Sequence, residues 1–325
     1  MSYAASGGVR IPFLLKSVLW LTERTATVKI DDVHNIHFLD RPMDKLVLPE
    51  RQKKLLLGAL EPLTSLATQN DLDRVGRLAL HDATVILLHG APGTGKTITT
   101  EYLSEHLKKP LMSIASGDLG ATGDVIGSNL AVYLKLAQLW GAIFVIEDAD
   151  VIFERRSTRD MIRNAIVTIC LRTIENYSGV LLLTTTRIGT IDESFQARVQ
   201  LAVEYRDPNR DDRRQIWNNV LDEASQSLHM NTDALREHLS ELSKPRMNGK
   251  QIQSSLKLAI RAGGKGDSIQ WDDMAIFLEA AANLTSYMDK VQGGSASKIA
   301  ERMGNRVRDE VADQEIIKEA YSRHN

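Results

Sequence analysis

The sequence predicts an α/β fold, in which helices cover both faces of a parallel sheet, followed by a small all-helical domain. Short, nearly continuous apolar runs predict the strands, because a strand buried on both faces shows no polar alternation. Segments with helical spacing lie between these runs, and such alternation is typical of a sheet covered by helices. The predicted strands are 84–88, 110–115, 142–147, 179–186 and 201–205, and the helices between them are 97–108, 124–140 and 157–177.

Beyond residue 206 the strand pattern stops and helical spacing takes over. Asp207 and Pro208 predict a helix start, with Asp207 as the N-cap and Pro208 as the first helical residue. Further helices are predicted over 232–243, 249–262 and 272–288, a linker over 293–297 and a charged amphipathic helix over 298–323. We therefore expect a flexible N-terminal segment at 1–39, with a strand at 25–31, and an α/β domain at 40–206. A helical lid domain is expected at 207–292, and a linker with a C-terminal helix at 293–325.

Composition and charge narrow the class of protein. With 43% hydrophobic and 25% charged residues, the chain of 325 residues is typical of an ordinary globular protein. Its net charge of -2 gives no global attraction to nucleic acid or to an anionic membrane. No apolar run approaches the roughly 18 residues that a membrane helix needs. We therefore expect no nucleic-acid partner and no membrane segment.

One cysteine and one interrupted apolar run bear on the cellular compartment. Cys170 alone can form neither an intramolecular disulfide nor a cysteine zinc site, and its position on an apolar helix face predicts a buried thiol. The apolar run 13–21 is broken by Lys16 and is followed by no small-residue cleavage site, which argues against secretion. An intracellular protein is expected, cytoplasmic by default, with the nucleus and the mitochondrial matrix left open.

A glycine-rich loop, HGAPGTGKT at 89–97, follows the first predicted strand and opens a helix. It fits the P-loop pattern G-x-x-x-x-G-K-[ST] in the required context, which argues against a chance glycine turn. Glycines let the backbone wrap a phosphate, and the helix N-terminus adds partial positive charge. Lys96 would reach the β- and γ-phosphates of ATP, and the Thr97 hydroxyl would bind Mg²⁺. The predicted nucleotide-binding residues are Gly90, Ala91, Pro92, Gly93, Thr94, Gly95, Lys96, Thr97 and Ile98.

A second motif is the apolar strand AIFVIEDAD at 142–150, which ends in the adjacent carboxylates Glu147 and Asp148. A P-loop needs a second strand that delivers a carboxylate to Mg²⁺, and ATPases need another acid to activate water. On its own, a strand end with acids would be interpreted as a solvated turn. Because this strand follows a P-loop, the two acids are expected to serve the same nucleotide.

Together these motifs resemble the AAA family of P-loop ATPases. The nearest resemblance is to a poorly characterised fungal-type group, whose second motif reads L-L-D-E-A-D-V-F-L-E. Residues 146–154 match it position by position, except that the two acids are exchanged. The similarity continues through 163–187 and 191–205 and covers roughly residues 40 to 260. It implies ATP hydrolysis in a homo-oligomeric ring, usually a hexamer, that remodels a protein partner.

The resemblance also implies roles for individual residues. Glu147 takes the position that binds the metal, together with the P-loop threonine, and Asp148 takes the position that activates water. Thr186 falls at the polar residue that touches the γ-phosphate or the attacking water. Arg198 falls at the arginine finger, which reaches the nucleotide of a neighbouring subunit. Lys250, in the segment 247–255 where the lid approaches the nucleotide, stands where a lid arginine would.

Departures from the family pattern bear on the rate of hydrolysis. Exchange of the acids lengthens the metal-side chain and shortens the water-side chain by one carbon–carbon bond, about 1.5 Å. A misplacement of about 1 Å can cost roughly a hundredfold in rate. A slip of register is the alternative, with Asp148 on the metal and Ala149 opposite the water, and it would remove the base. Thr186 also replaces the usual asparagine and is shorter.

Two functions remain open at this point. The first is a Mg²⁺-dependent ATPase that hydrolyses slowly and remodels a protein partner. The second is an ATP-binding structural or regulatory subunit that does not hydrolyse ATP. The segment 117–129 lacks the aromatic residue of a threading pore loop and offers only Val125-Ile126-Gly127. The basic run 154–163 has no interleaved aromatics and therefore favours a solvated interface loop over a nucleic-acid contact.

Overall fold

The computed structural model describes residues 38–61, 83–228, 230–262 and 269–307. The strand predicted at 25–31 and the predicted N-terminal segment up to residue 37 lie outside these residues. The part of the predicted C-terminal helix beyond residue 307 also lies outside them.

One parallel sheet of five strands, in the order β2-β3-β4-β1-β5, forms the centre of the α/β region. Each strand lies within two residues of a predicted apolar run. The predicted α/β fold class, with flanking helices and a helical C-terminal region, is therefore confirmed. The strands are β1 (Thr84–Gly90), β2 (Leu111–Ala115), β3 (Ile143–Glu147), β4 (Val180–Thr185) and β5 (Leu201–Tyr205).

The position of β3 inside the sheet explains why residues 143–146 are all apolar. The strand pairs with β2 on one side, where Ala115 is opposite Glu147, and with β4 on the other, where Leu183 is opposite Ile146. All four residues of 143–146 are fully buried, whereas Glu147 at the strand end is half-buried. An interior strand covered on both faces has no solvent-facing positions, so polarity begins only where the strand leaves the core.

Helices connect the strands and continue after β5. Helix α4 starts four residues after the predicted 157, because Asp160 is its N-cap and accepts a 2.9 Å hydrogen bond from the Arg163 N–H. The helices of the described residues are α1 (Glu50–Leu60), α2 (Lys96–Leu107), α3 (Gly123–Trp140), α4 (Met161–Glu175), α5 (Glu193–Gln196), α6 (Arg210–Leu228), α7 (Asp233–Glu237), α8 (Leu239–Leu242), α9 (Gly249–Ala262), α10 (Trp271–Gln292) and α11 (Ala296–Arg302).

The described chain divides into two compact units that interleave along the sequence. The first holds the residues up to Leu88, with Thr97–Thr185 and Ile191–Val203; the second holds His89–Lys96, Thr186–Thr190 and the residues from Glu204 onward. The sequence-based limits at 39/40, 206/207 and 292/293 stay predictions. The buried core of the second unit consists of Trp217, Leu221, Ala224, Leu235, Leu242, Met247, Ile252, Leu256, Ala259, Ile269, Met274 and Leu278.

The predicted start of α6 at Asp207-Pro208 is wrong by two residues. The helix begins at Arg210, and Asn209 is its cap. Asn209 Oδ1 accepts from the Asp212 N–H at 2.9 Å, and Asp212 Oδ2 accepts from the Asn209 N–H at 3.0 Å. This reciprocal pair satisfies two backbone donors at once and sets the helix start at Arg210.

The predicted helix 232–243 is two short helices, α7 and α8, separated at His238. His238 leaves helical geometry at ψ 18°, and its ring stacks on Trp271 with centroids 4.4 Å apart. Stacking on a residue distant in sequence is a tertiary contact, so periodicity alone does not reveal this break. Helix α10 is longer than predicted and runs to Gln292.

The predicted linker 293–297 and continuous helix 298–323 are also revised. Helix α11 begins at Ala296, with Ser295 as its N-cap, and ends at Arg302. Gly304, at φ 68°, donates to Glu301 O over 2.9 Å, and the Asn305 N–H donates to Ala300 O over 2.8 Å. This pair of bonds is a Schellman motif, which ends a helix at a glycine in the left-handed region. The continuous helix is therefore wrong over 303–307.

Two smaller expectations concern the interior and the membrane. Cys170 is buried as predicted, and burial raises the pKa of its thiol to about 12, so the neutral thiol packs as an apolar group. Among the helices of the described residues, none combines the length and apolar character required to cross a bilayer.

Candidate functional site

The glycine-rich loop connects β1 to α2 and depends on glycine for its path. Gly90, Gly93 and Gly95 have φ values of 144°, 75° and 110°, which side-chain-bearing residues rarely adopt. A Cβ on Gly90 would lie 2.0 Å from Tyr205 O, so the backbone of β5 leaves no room for one. The P-loop pattern in the sequence thus corresponds to a loop that only glycines can form.

The carbonyl groups of this loop accept hydrogen bonds from its own side chains. Lys96 is buried, and its Nζ donates to Gly90 O at 2.9 Å and to Ala91 O at 2.7 Å. The Thr94 hydroxyl also donates to Ala91 O, at 2.8 Å. The ammonium that the sequence assigns to phosphate binding therefore lies inside the loop, held against its carbonyls.

The segment before α9 contacts the same loop, and all of these residues belong to the second unit. Asn248 Nδ2 donates to Pro92 O at 3.2 Å, and the Lys250 backbone N–H donates to Gly93 O at 3.4 Å. The Lys250 side chain is exposed, so Lys250 meets the loop through its backbone. Sequence reasoning missed Asn248, although an asparagine just before a predicted helix is a recognisable cap signal.

His89 lies at the end of β1 beside the loop and was not assigned a role from the sequence. Burial lowers the pKa of its imidazole, Glu204 opposes this shift, and Lys96 adds to it. The imidazole is therefore neutral near pH 7. As a neutral group it does not repel the positive charge of Lys96.

The acidic strand end lies in the first unit and is held by serine and threonine side chains. The Ser113 hydroxyl donates to Glu147 Oε1 at 3.1 Å from the neighbouring strand β2. The Ser116 hydroxyl donates to two carbonyl oxygens, those of Glu147 at 2.6 Å and Asp148 at 2.8 Å. The Asp148 N–H donates to Thr184 Oγ1 at 3.4 Å. Sequence reasoning found the acids but not these supports, because common polar residues carry no motif.

Asp148 combines an unusual backbone conformation with an exposed carboxylate. Its backbone is left-handed, with φ 51° and ψ 48°, a conformation that costs on the order of 1 kcal/mol or more for a residue other than glycine. Its carboxylate is exposed, and no donor among the described residues hydrogen-bonds to it. Glu147 is the last residue of β3 and is half-buried, whereas Asp148 lies just after the strand and is exposed. The two carboxylates therefore have different exposure to solvent.

The side chains predicted to bind the metal suit Mg²⁺ by their chemistry. Thr97, Glu147 and Asp148 offer oxygen ligands, and Mg²⁺ takes one or two carboxylates together with phosphate and water oxygens. Within the described ranges, no group of three or more His, Cys, Asp or Glu side chains is arranged as a metal cage. One hydroxyl and two carboxylates are too few ligands for a metal bound by protein alone, but they suit Mg²⁺ that is also bound by phosphate oxygens.

The third acid of the motif, Asp150, has a structural role that the sequence did not reveal. Its side chain is buried, and Oδ1 accepts a 2.6 Å hydrogen bond from the Thr185 hydroxyl. This contact joins the turn after β3 to β4. Thr186 follows Thr185 outside the strand and is half-buried.

Arg198, the predicted arginine finger, is occupied within its own chain. Its guanidinium donates to Ser194 O and forms an ion pair with Glu175. Its role at a neighbouring subunit's nucleotide stays a prediction. Two arginines of the basic run 154–163 are also paired: Arg156 binds the buried Asp192, and Arg163 binds Glu154.

Comparisons with known proteins agree with this geometry. Residues 86–206 match the model of the family described as "ATPase family associated with various cellular activities (AAA)". A "Putative 26S proteasome regulatory subunit homolog" of Methanothermobacter marburgensis is 25% identical over 54% of this chain and 48% of its own length. A protein of the same description from Methanothermobacter thermautotrophicus is 23% identical over 54% of this chain and 49% of its own.

A third relative is the "ATPase family AAA domain-containing protein 3A homolog" of Drosophila melanogaster, 26% identical over 40% of this chain and 23% of its own length. The matches with the first two span about half the length of those relatives. The family model covers both the glycine-rich loop and the acidic strand end. Residues 86–206 of this chain are thus similar to the AAA family in sequence, and they contain a P-loop and a parallel sheet of the expected kind.

Proposed function

We propose that this chain is a Mg²⁺-dependent ATPase of the AAA type that hydrolyses ATP slowly and uses the nucleotide cycle to remodel a protein partner. The observation that carries the proposal is the loop Gly90–Thr97, whose backbone only glycines can form and which opens helix α2. Such a loop presents backbone N–H groups and a helix N-terminus, both suited to a triphosphate.

Within the loop, Lys96 neutralises phosphate charge. Its ammonium is held by the carbonyls of Gly90 and Ala91 at 2.9 and 2.7 Å. Phosphate oxygens are stronger acceptors than neutral carbonyls, so a bound triphosphate can take over these hydrogen bonds. Because Lys96 is buried, the same replacement also offsets the desolvation of the ammonium.

At the acidic strand end, Glu147 and Thr97 bind Mg²⁺, and Asp148 orients and activates water. The Ser113 hydroxyl holds Glu147 in a fixed direction, whereas the Asp148 carboxylate has no donor among the described residues and is available as a base. The exchanged order of the two acids places both carboxylates differently from the family pattern. A shift of about 1 Å is expected to slow hydrolysis by roughly a hundredfold.

The partner and the assembly are proposed from the family. Two relatives are described as proteasome regulatory subunit homologs. The resemblance to AAA proteins implies a homo-oligomeric ring, usually a hexamer. In such a ring Arg198 would exchange Glu175 for the nucleotide of the next subunit, and Thr186 would contact the γ-phosphate or the attacking water. Lys250 would approach the nucleotide from the lid, where its side chain is exposed.

Two measurements test the proposal, namely ATP binding and phosphate release for the natural chain and for Lys96→Ala. We expect the natural chain to bind ATP in the presence of Mg²⁺ and to release phosphate slowly, and Lys96→Ala to lose both. The double exchange Glu147→Asp/Asp148→Glu restores the family order and is expected to raise turnover, up to about a hundredfold. Absence of ATP binding by a folded natural chain would refute the proposal.

A second function is supported by the same two acids and by Thr186. In this case the chain binds ATP as a structural or regulatory ligand and does not hydrolyse it. The distinguishing result is ATP binding with phosphate release no faster than that of Lys96→Ala. If the double exchange alone then starts turnover, the acid order is what prevents hydrolysis in the natural chain.

A further inference from the structure

Four consecutive carbonyl groups of the glycine-rich loop, at residues 90–93, each accept a hydrogen bond from within the second unit. Lys96 Nζ donates to the first two. The other two belong to Pro92 and Gly93, and their donors are the Asn248 amide and the Lys250 backbone N–H. Half of this carbonyl row is therefore held by a segment more than a hundred and fifty residues away in sequence.

We propose that Asn248 is a positioning residue for the phosphate-binding loop. Its amide, together with the Lys250 N–H, fixes the orientation of the two peptide units after Pro92 and Gly93, and so pre-orients the N–H groups that receive phosphate. The proposal rests on the proposed function of the loop and adds a residue, just before α9, that controls the orientation of the loop.

The geometry of the peptide bond links each of these carbonyl groups to the N–H group of the next residue. A trans peptide unit is planar, so the C=O of one residue and the N–H of the next point in opposite directions. A hydrogen bond from Asn248 to Pro92 O therefore fixes the direction of the Gly93 N–H. In the same way, the bond from Lys250 to Gly93 O fixes the direction of the Thr94 N–H.

Such support matters because ordering a glycine-rich backbone costs conformational entropy. Glycine loses more conformational freedom on ordering than any other residue, and this loop contains three of them at positive φ. If the loop were ordered only by the ligand, that entropy loss would weaken phosphate binding, whereas a loop already held in place avoids it.

Close approach of the two segments is built into the sequence. A Cβ on Gly93 would lie 2.7 Å from Asn248 Cγ, and a Cβ on Gly249 would lie 3.3 Å from Gly93 O. Glycine at both positions lets the start of α9 reach the loop backbone. The loop and the start of α9 can therefore approach this closely only with glycine at 93 and 249. A side chain at either position would push the two segments apart.

Asn248 uses both ends of its amide, which allows its two roles to be separated. Its Oδ1 accepts from the Gln251 N–H at 2.9 Å, and its backbone N–H donates to Gln251 Oε1 at 2.8 Å, so it caps α9. Its Nδ2 is the group that reaches Pro92 O. Serine caps a helix about as well as asparagine but lacks the amide nitrogen and is shorter.

The experiment compares Asn248→Ser with the matched control Gln251→Ala. Asn248→Ser keeps the cap and loses the loop contact; Gln251→Ala disturbs the cap and leaves the loop contact. For Asn248→Ser we expect an almost unchanged Tm and roughly threefold to tenfold weaker binding of ATP and ADP, the size of one net hydrogen bond. For Gln251→Ala we expect a lower Tm and an unchanged nucleotide affinity.

Hydrogen exchange in the nucleotide-free full chain supplies a readout that does not need ATP. Asn248→Ser is expected to speed the exchange of the Gly93 and Thr94 amides, whereas Gln251→Ala is not. Unchanged exchange and unchanged affinity in Asn248→Ser would overturn the positioning role. If the natural chain binds no nucleotide, the proposed function fails, and the exchange data alone still decide whether Asn248 holds the loop.

Discussion

The Thr185 hydroxyl donates a 2.6 Å hydrogen bond to Asp150 Oδ1, and both side chains are buried. Two residues earlier, Asp148 exposes its carboxylate and receives no hydrogen bond from the described residues. Two aspartates of one short motif thus differ in burial: Asp150 is buried and hydrogen-bonded, and Asp148 is exposed. Asp150 joins the turn after β3 to β4, and Asp148 keeps an exposed carboxylate.

Thr185→Val should therefore destabilise the fold. Valine has the shape of threonine but cannot donate, so the buried Asp150 carboxylate loses a short hydrogen bond. We expect a loss of about 1–3 kcal/mol in the free energy of unfolding, measured by urea denaturation. Asp148→Asn is the matched control, because its carboxylate has no such partner, and it should change stability by less than about 0.5 kcal/mol. Equal costs for both variants would contradict this division of roles.

Ser113→Ala tests whether Glu147 binds the metal. The Ser113 hydroxyl donates to Glu147 Oε1 at 3.1 Å and is the side chain that orients this carboxylate. Loss of such an outer partner typically weakens metal binding by roughly tenfold to a hundredfold. We expect the Mg²⁺ concentration for half-maximal phosphate release to rise by about tenfold, with little change in Tm.

Ser113→Thr is the control for that experiment, because it keeps a hydroxyl at the same position. It should retain most of the natural Mg²⁺ dependence. If Ser113→Ala leaves the Mg²⁺ titration unchanged, Glu147 is not a metal ligand. Asp148 on the metal, the alternative register, would then be the better interpretation of the motif.

Much of this molecule follows from local sequence, and the missed parts are those that depend on distant contacts. The strands are visible because a run such as 143–146 is buried on both faces and has no polar residue. The loop is visible because only glycine tolerates the φ of Gly90 and Gly93. The contact of Asn248 with the loop is not visible, since its hydrogen bond to Pro92 O is created by folding.

Helix ends show the same limit on a smaller scale. The sequence predicts Asp207 as the cap of α6, whereas Asn209 is the cap in the structure, and the intrinsic cap preferences of aspartate and asparagine are similar. Asn209 is the cap because Asp212 reaches back to it, a reciprocal contact that ranks the two sites only once both side chains are placed. Local propensity therefore locates the helix start to within about two residues.

Gly189→Ala should detach the segment after α11 from the loop that follows β4. The Gly189 N–H donates to Asn305 O at 2.8 Å, and a Cβ on Gly189 would lie 1.9 Å from Gly304 O. Because backbone atoms cannot move aside cheaply, the contact must open. We expect a loss of stability of about 1–3 kcal/mol and faster hydrogen exchange over 303–307.

Gly58→Ala is a suitable comparison for that variant. Gly58 lies inside α1, and a Cβ there would meet nothing within 4 Å. Alanine in a helix interior is favoured over glycine by about 0.5–1 kcal/mol, so this variant should be more stable than the natural chain. A Gly189→Ala variant as stable as the natural chain would show that the close contact with Gly304 does not exist.

Arg156→Ala should reduce stability in a manner that depends on pH. Arg156 Nε lies 3.0 Å from Asp192 Oδ2, and Asp192 is buried. Burial alone would raise the pKa of Asp192, but hydrogen bonds from Arg156 and from the Ser194 N–H outweigh burial and lower it below the ordinary value of 3.8. The carboxylate is therefore charged in the fold, and Arg156 is one of the groups that stabilise the charge.

The sign of the effect follows from this lowered pKa. A carboxyl whose pKa is lower in the folded state stabilises the fold above its unfolded pKa, and that contribution is lost as pH falls through the folded pKa. Since Arg156 is partly exposed, we expect Arg156→Ala to cost about 1 kcal/mol at pH 7. The difference from the natural chain should persist down to about pH 4 and shrink below it. Urea denaturation of both chains from pH 7 to pH 3 measures it, and a difference that stays constant across this range would mean that Arg156 acts through packing and not through the charge of Asp192.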